Sequence, residues 1–129
     1  MIDITKQITY WRDSAAEDWE MAIDLSNRGK NRYGLFFLHL SFEKLLKAHV
    51  CKKTKDLAPR IHNLVRLSEL ASMNFEKDTL DLLADLNEFH IEGRYPDLQY
   101  PVISRTETFK YLEQAKEVYL WLSNQLLIP

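Results

Sequence analysis

The chain contains little glycine and proline and a single cysteine. Its 129 residues include only three glycines and four prolines, and all-β folds need many tight turns with glycine at positive φ, so this scarcity argues against them. Cys51 cannot form a disulfide within the chain, nor can it build a cysteine-based zinc site alone. The lack of a disulfide framework fits a reducing compartment, and we expect a cytoplasmic protein.

Long apolar runs are also missing. The longest, residues 35–38, is far too short to cross a membrane. The N-terminus lacks the basic region and apolar stretch of a signal peptide, so no membrane association is expected. Hydrophobic residues nevertheless make up 46% of the chain and aromatic residues 12%. This composition excludes wholesale disorder and predicts one domain with a core over residues 1–129.

Charge is unevenly distributed, although the formal net charge is only −2. Residues 28–66 hold ten basic and two acidic side chains, a sum of +8, and the remainder holds 7 basic and 17 acidic side chains, a sum of −10. Two interpretations stay open. The basic stretch could recognise an anionic partner, or basic and acidic helices could face each other within the fold or between subunits. The total charge is unlike that of a general nucleic-acid-binding domain.

Five segments carry apolar residues at every third or fourth position, which is the period of an α-helix. The first three cover about residues 5–27, 31–52 and 63–72. Gly29 is expected to end the first at positive φ. The fourth is expected to follow an N-cap at Asn74 and reach His90, and the fifth begins at the capping box Ser104-Arg-Thr-Glu107. The sequence therefore predicts a single all-α bundle of five helices.

The second segment is expected to be the most buried helix. Up to Leu40 it is apolar around most of its circumference. Beyond that point Glu43, Lys44 and Lys47 are expected on a solvated side of the helix. Glu43 and Lys47 are expected to form an ion pair. His49 is expected to be solvated as well.

The chain is rich in aromatic side chains, with three Trp, six Tyr and six Phe. Trp11 and Trp19 are eight residues apart on one helical face, and we interpret them as core or subunit-interface residues rather than as a platform for base stacking. Five helices are a small scaffold for this many aromatic rings. Because large exposed apolar patches are uncommon on monomers, we expect a homodimer.

A long loop, residues 91–103, precedes the last helix, and long loops in compact domains are often functional. Tyr95 precedes a proline, which disfavours helix, so Arg94 and Tyr95 are expected to project from the end of the fourth helix. The guanidinium group of arginine can donate two hydrogen bonds to a phosphate, and an aromatic ring can stack on a base. We predict that Arg94, Tyr95 and His90 form a nucleotide or anion site. The alternative is that Arg94 forms an ion pair with a nearby acidic side chain and stabilises the conformation of the loop.

Three elements, taken in order, resemble the signature elements of HEPN domains. They are Glu43-Lys-Leu-Leu-Lys-Ala48 in the second segment, Ile61-His62-Asn63-Leu64 after a linker, and Gly93-Arg94-Tyr95-Pro96-Asp97 before the last helix. The resemblance implies a bundle of about five helices, usually a homodimer, in a prokaryotic setting. It also implies a gene often found beside a minimal nucleotidyltransferase, as a toxin–antitoxin-like pair. Many members of the family are metal-independent endoribonucleases or bind nucleotides.

Active members of that family use an arginine followed, after four to six residues, by a histidine. The arginine holds a phosphate, and the histidine moves the proton of the attacking 2′-hydroxyl. Only Arg32 and His39 match this spacing, while His90 and Arg94 occur in the reversed order. Two functions stay open: a non-catalytic partner of a minimal nucleotidyltransferase with a nucleotide or anion site, or a ribonuclease toxin that uses one of these two pairs on RNA.

No metal site or cofactor is expected from the sequence. Neither an HxxxH nor an ExxH spacing occurs on any of the predicted helices. Such spacings place two ligand side chains on one helical face, where both can reach the same ion. The sequence alone does not decide whether the chain is an enzyme.

Overall fold

The structure, a computed structural model, describes residues 2–90 and 103–128. It contains five helices, which are α1 (Ile4–Asn27), α2 (Asn31–Thr54), α3 (Leu64–Leu70), α4 (Lys77–Leu86) and α5 (Arg105–Gln125). A short 3-10 turn, Asn87–Phe89, follows α4. No strand occurs in these two ranges, and the predicted all-α, five-helix architecture is confirmed.

Side-chain caps occur at three of the five helix starts. Three N-cap side chains, those of Asp3, Asn63 and Ser104, accept a backbone N–H from the first turn of their helices. Gly29 has a φ of 79° after α1, as expected for glycine at that position. The predicted cap at Asn74 is wrong, because α4 begins at Lys77 after an N-cap Glu76 that makes no side-chain hydrogen bond.

The helices α1 and α2 form a long hairpin, and α5 packs against both of them. Gly34 allows the two helices to approach closely, since a Cβ atom there would collide with Ser26 Oγ and would lie 3.2 Å from the Ala22 carbonyl oxygen. The helices α3 and α4 also contact α2 and pack against each other. The core comprises large apolar side chains from these elements, including Leu35, Leu38, Phe42, Leu45, Leu46, Leu64, Leu83, Leu86 and Leu122.

The helix α2 carries more buried residues than any other described helix, as expected, but its two halves behave differently from the prediction. Tyr33, in the apolar first half, is 54% exposed. Glu43 and Lys47, expected on the solvated side, are buried, and so is His49. The reason is tertiary: α1, α3 and α5 pack against α2, and polar groups of its second half find partners inside, such as the Leu122 carbonyl, 2.8 Å from His49 Nε2.

Several basic side chains of residues 28–66 are paired with acids. Lys44 Nζ lies 2.8 Å from Asp18 Oδ2 on α1. Arg28 pairs with Asp24 at 3.2 Å. The Lys44–Asp18 pair joins α2 to α1 and favours the interpretation that basic and acidic helices face each other, whereas Arg28 and Asp24 are four positions apart at the end of the same helix. None of the helices in the described ranges is long and apolar enough to cross a membrane.

Candidate functional site: a histidine–glutamate cluster

Three polar residues on α2 lie on one side of the helix because they are four positions apart. They are His39, Glu43 and Lys47, all buried. Two further histidines approach them from other elements: His62 from the linker before α3, and His90 directly after the 3-10 turn. These five residues are called the histidine–glutamate cluster below.

Glu43 lies at the centre of the cluster. Its Oε1 accepts a hydrogen bond from His62 Nδ1 at 3.0 Å, and its Oε2 accepts one from Lys47 Nζ at 3.0 Å. Burial alone would raise the pKa of the carboxyl group. The hydrogen bond and charge of Lys47, followed by those of His62, outweigh burial and lower the pKa below its usual value. Glu43 is therefore an ionised carboxylate at neutral pH.

His39 is completely buried beside it. Its Nε2 donates to the His62 carbonyl oxygen at 3.0 Å, so Nδ1 carries the lone pair of the neutral ring. That Nδ1 lies 3.9 Å from Glu43 Oε1 and has no hydrogen-bond partner in the described part of the chain. Burial lowers the pKa of His39 to about 4, although the Glu43 charge opposes this shift. The ring is thus neutral at pH 7.

The three imidazoles form a layered arrangement from the interior to the surface. The His90 ring lies close to both of the others, with its centroid 5.1 Å from that of His39 and 4.6 Å from that of His62. The His62 and His90 rings are stacked with an interplanar angle of 20°. The His62 side chain is 47% exposed. The cluster therefore extends from a buried imidazole to one that reaches solvent.

Aromatic side chains border the cluster. Lys47 Nζ lies 5.2 Å from the centroid of the Trp11 ring on α1, which is a cation–π distance. The Phe36 ring lies near His90, with 6.4 Å between the two ring centroids. Trp19 packs elsewhere, stacked on Tyr119 at 4.4 Å against the core. Both tryptophans are half-buried.

The residues predicted as site candidates occupy different places. Arg32 is exposed near the start of α2, and two helical turns, about 10.5 Å along the axis, separate it from the buried His39. His90 belongs to the cluster. Arg94 and Tyr95 lie outside the described residues. The geometry thus does not present Arg32 and His39 together at an accessible surface.

Sequence reasoning did not assign a site role to Glu43, Lys47 or His62. A signal was present, because His39, Glu43 and Lys47 repeat at intervals of four on one helix. A second signal was the position of Glu43 and His62 within two of the three elements that resemble the HEPN signature. The structure joins these two elements directly, through the hydrogen bond between His62 and Glu43.

The fold and the cluster define a small helical-bundle domain, and comparison with known families identifies the family to which it belongs. The family model of the HEPN domain matches residues 8–125. The chain therefore belongs to the HEPN family, and the resemblance seen in its sequence elements is confirmed.

A solved structure shares this fold. TT1696 from Thermus thermophilus matches with a TM-score of 0.74 and 18% sequence identity, over 93% of this chain and 98% of that chain. At this identity the likeness concerns the fold alone. No curated protein sequence matches the chain.

Proposed function

We propose that this chain is a non-catalytic HEPN domain that binds a nucleotide or another phosphate-bearing ligand at the exposed edge of the histidine–glutamate cluster. In this proposal it serves as the partner of a minimal nucleotidyltransferase. The observation that carries the binding function is the exposed His62 ring, which is oriented by the Glu43 carboxylate and stacked on His90.

The chemistry of this edge suits a nucleotide. Nδ1 of His62 donates to the Glu43 carboxylate, which fixes the orientation of the exposed ring, and the imidazole can form a hydrogen bond with a polar group of a ligand. An exposed aromatic stack offers a face to a base. In the sequence, Arg94 and Tyr95 follow His90 by four and five positions. In this proposal Arg94 binds the phosphate through its guanidinium group, and Tyr95 provides a second aromatic contact to the base.

Binding without RNA cleavage agrees with the state of His39. A general base must come within hydrogen-bond reach of the hydroxyl that it deprotonates. His39 is fully buried, and its Nε2–H is bound to the His62 carbonyl. The arginine–histidine pair that formally matches the family's ribonuclease motif therefore lacks an accessible base.

Calorimetric titration with ATP tests the binding function. We expect weak, saturable binding by the unaltered chain, loss of binding in Arg94→Ala, and at least a tenfold loss in His62→Gln. Arg66→Ala is the matched control, because this exposed arginine, four positions after His62 in the sequence, pairs only loosely with Glu69, at 3.9 Å. Absence of binding by the unaltered chain, or equal affinity in all variants, contradicts the proposal. Specific RNA cleavage that is lost in His62→Gln supports the ribonuclease alternative instead.

The partnership is tested separately from the binding site. We expect the neighbouring gene to encode a small nucleotidyltransferase, and we expect the two proteins to co-purify when they are co-expressed. A neighbouring nucleotidyltransferase that forms no complex with this chain contradicts the partner role while leaving the binding function standing.

A further inference from the structure

The inner part of the histidine–glutamate cluster brings together three groups that can each coordinate a metal ion. One ligand atom each from His39, Glu43 and His90 lies within 4.8 Å of the other two. His39 and Glu43 are buried and His90 is half-buried. Two imidazole nitrogens and one carboxylate oxygen are a donor set typical of zinc and of other divalent transition-metal ions.

The hydrogen bonding of His39 leaves the lone pair of its Nδ1 available to a cation. The bond from Nε2–H to the His62 carbonyl leaves the lone pair of the ring on Nδ1. That lone pair lies 3.9 Å from Glu43 Oε1, which is also an electron-pair donor. No hydrogen-bond donor serves His39 Nδ1 among the described residues. A buried polar atom without a partner is costly, and a cation between the nitrogen and the oxygen would satisfy both.

We propose that His39 Nδ1, Glu43 Oε1 and a ring nitrogen of His90 bind a divalent transition-metal ion such as Zn²⁺. This site does not depend on the proposed nucleotide function. Three protein ligands leave one position of a tetrahedral zinc site open to water or another small ligand.

The surroundings of the three ligands resemble the outer shell of known metal sites. Histidine ligands commonly donate their other ring N–H to a carbonyl oxygen, as His39 does to His62. Glu43 is held by hydrogen bonds from His62 and Lys47. In a tetrahedral zinc site with bonds of about 2.1 Å, ligand atoms lie about 3.4 Å apart. The separations of up to 4.8 Å therefore require only a modest contraction of the side chains on binding.

Lys47 supplies an opposing charge. Its ammonium group lies 3.0 Å from Glu43 Oε2 and repels a cation placed at Oε1 of the same carboxylate. We therefore expect the lysine to weaken metal binding. Replacing it with an uncharged side chain of similar length, in Lys47→Met, should tighten binding, an effect that loss of structural integrity alone would not produce.

The test is a calorimetric titration of Zn²⁺ into the full chain after treatment with EDTA. We expect one ion per chain, at least a tenfold loss of affinity in His39→Gln, and a gain of several-fold or more in Lys47→Met. His49→Gln is the matched control, because His49 is also buried on α2 with its Nε2 at a backbone carbonyl. Its affinity should equal that of the unaltered chain. Zinc binding that is unchanged in His39→Gln overturns the proposal.

A second measurement keeps the test valid if a variant fails to fold. The ring ¹⁵N resonances of the unaltered chain report directly on the ligating nitrogens. Saturation with Zn²⁺ should shift the Nδ1 resonance of His39 by many times its linewidth and leave the ring of His49 unchanged. A spectrum in which zinc moves only the exposed His62 ring shows surface binding and overturns the assignment.

Discussion

The buried ion pair between Glu43 and Lys47 offers the sharpest stability prediction. The two side chains are only 6% and 7% exposed. Removing one partner therefore leaves an uncompensated charge inside the protein. Such a loss costs about 3–5 kcal/mol, whereas breaking an exposed pair costs about 0.2–1 kcal/mol. We therefore expect Glu43→Met to lower the free energy of unfolding by about 3–5 kcal/mol.

The double variant tests whether the cost comes from the charge left behind. Glu43→Met combined with Lys47→Met removes both charges, so its cost should be smaller than the sum of the single costs by about 1–3 kcal/mol. Urea denaturation in the presence of EDTA, followed by circular dichroism, measures all three variants in the metal-free state.

A matched surface pair is available as a control. Lys77 and Asp81 have the same spacing and a similar distance of 3.1 Å, but their side chains are 87% and 61% exposed. Lys77→Met should produce no measurable change in unfolding. If Glu43→Met behaves like Lys77→Met, or if the double variant is simply additive, the reasoning on burial is refuted.

Three further outcomes are expected in urea denaturation with EDTA present. His39 takes up a proton near pH 6.5 in the unfolded chain but only near pH 4 in the native chain, because burial lowers its native pKa. The free energy of unfolding should therefore fall by up to about 3 kcal/mol as the pH is lowered across that interval. The fall should be smaller in His39→Gln, and an equal fall in the two proteins contradicts this. Phe42→Ala should cost about 3–5 kcal/mol, and a cost under about 1 kcal/mol would remove Phe42 from the core. Gly34→Ala should destabilise by about 1–2 kcal/mol, since the new Cβ meets Ser26; a stabilised variant refutes the close approach.

The fold could be predicted because its determinants are local. Helical periodicity and capping residues such as Ser104 act over a few neighbouring positions, and the glycine at the end of α1 has the expected positive φ. The start of α4 was placed wrongly because Asn74 has the chemistry of an N-cap but lies before the helix begins. Such boundaries depend on how the preceding turn packs, which local sequence does not determine.

The site could be predicted only in fragments. His39, Glu43 and Lys47 have the spacing of an exposed i,i+4 ion-pair series, and nothing in α2 itself reveals that other helices cover this stripe. Burial of the stripe depends on the linker that brings His62 over Glu43 and on the turn that brings His90 against His39. These are contacts between residues far apart in the sequence, and helical periodicity carries no information about such contacts.

The most direct test of the account is a ¹⁵N spectrum of the histidine rings during titration with ATP. The chain has four histidines, and the buried His49, bound to the Leu122 carbonyl outside the cluster, serves as an internal reference. We predict saturable shifts for the rings of His62 and His90 and none for the ring of His49. A titration in which neither His62 nor His90 responds, or in which His49 shifts equally, contradicts the assignment of the histidine–glutamate cluster as the functional site.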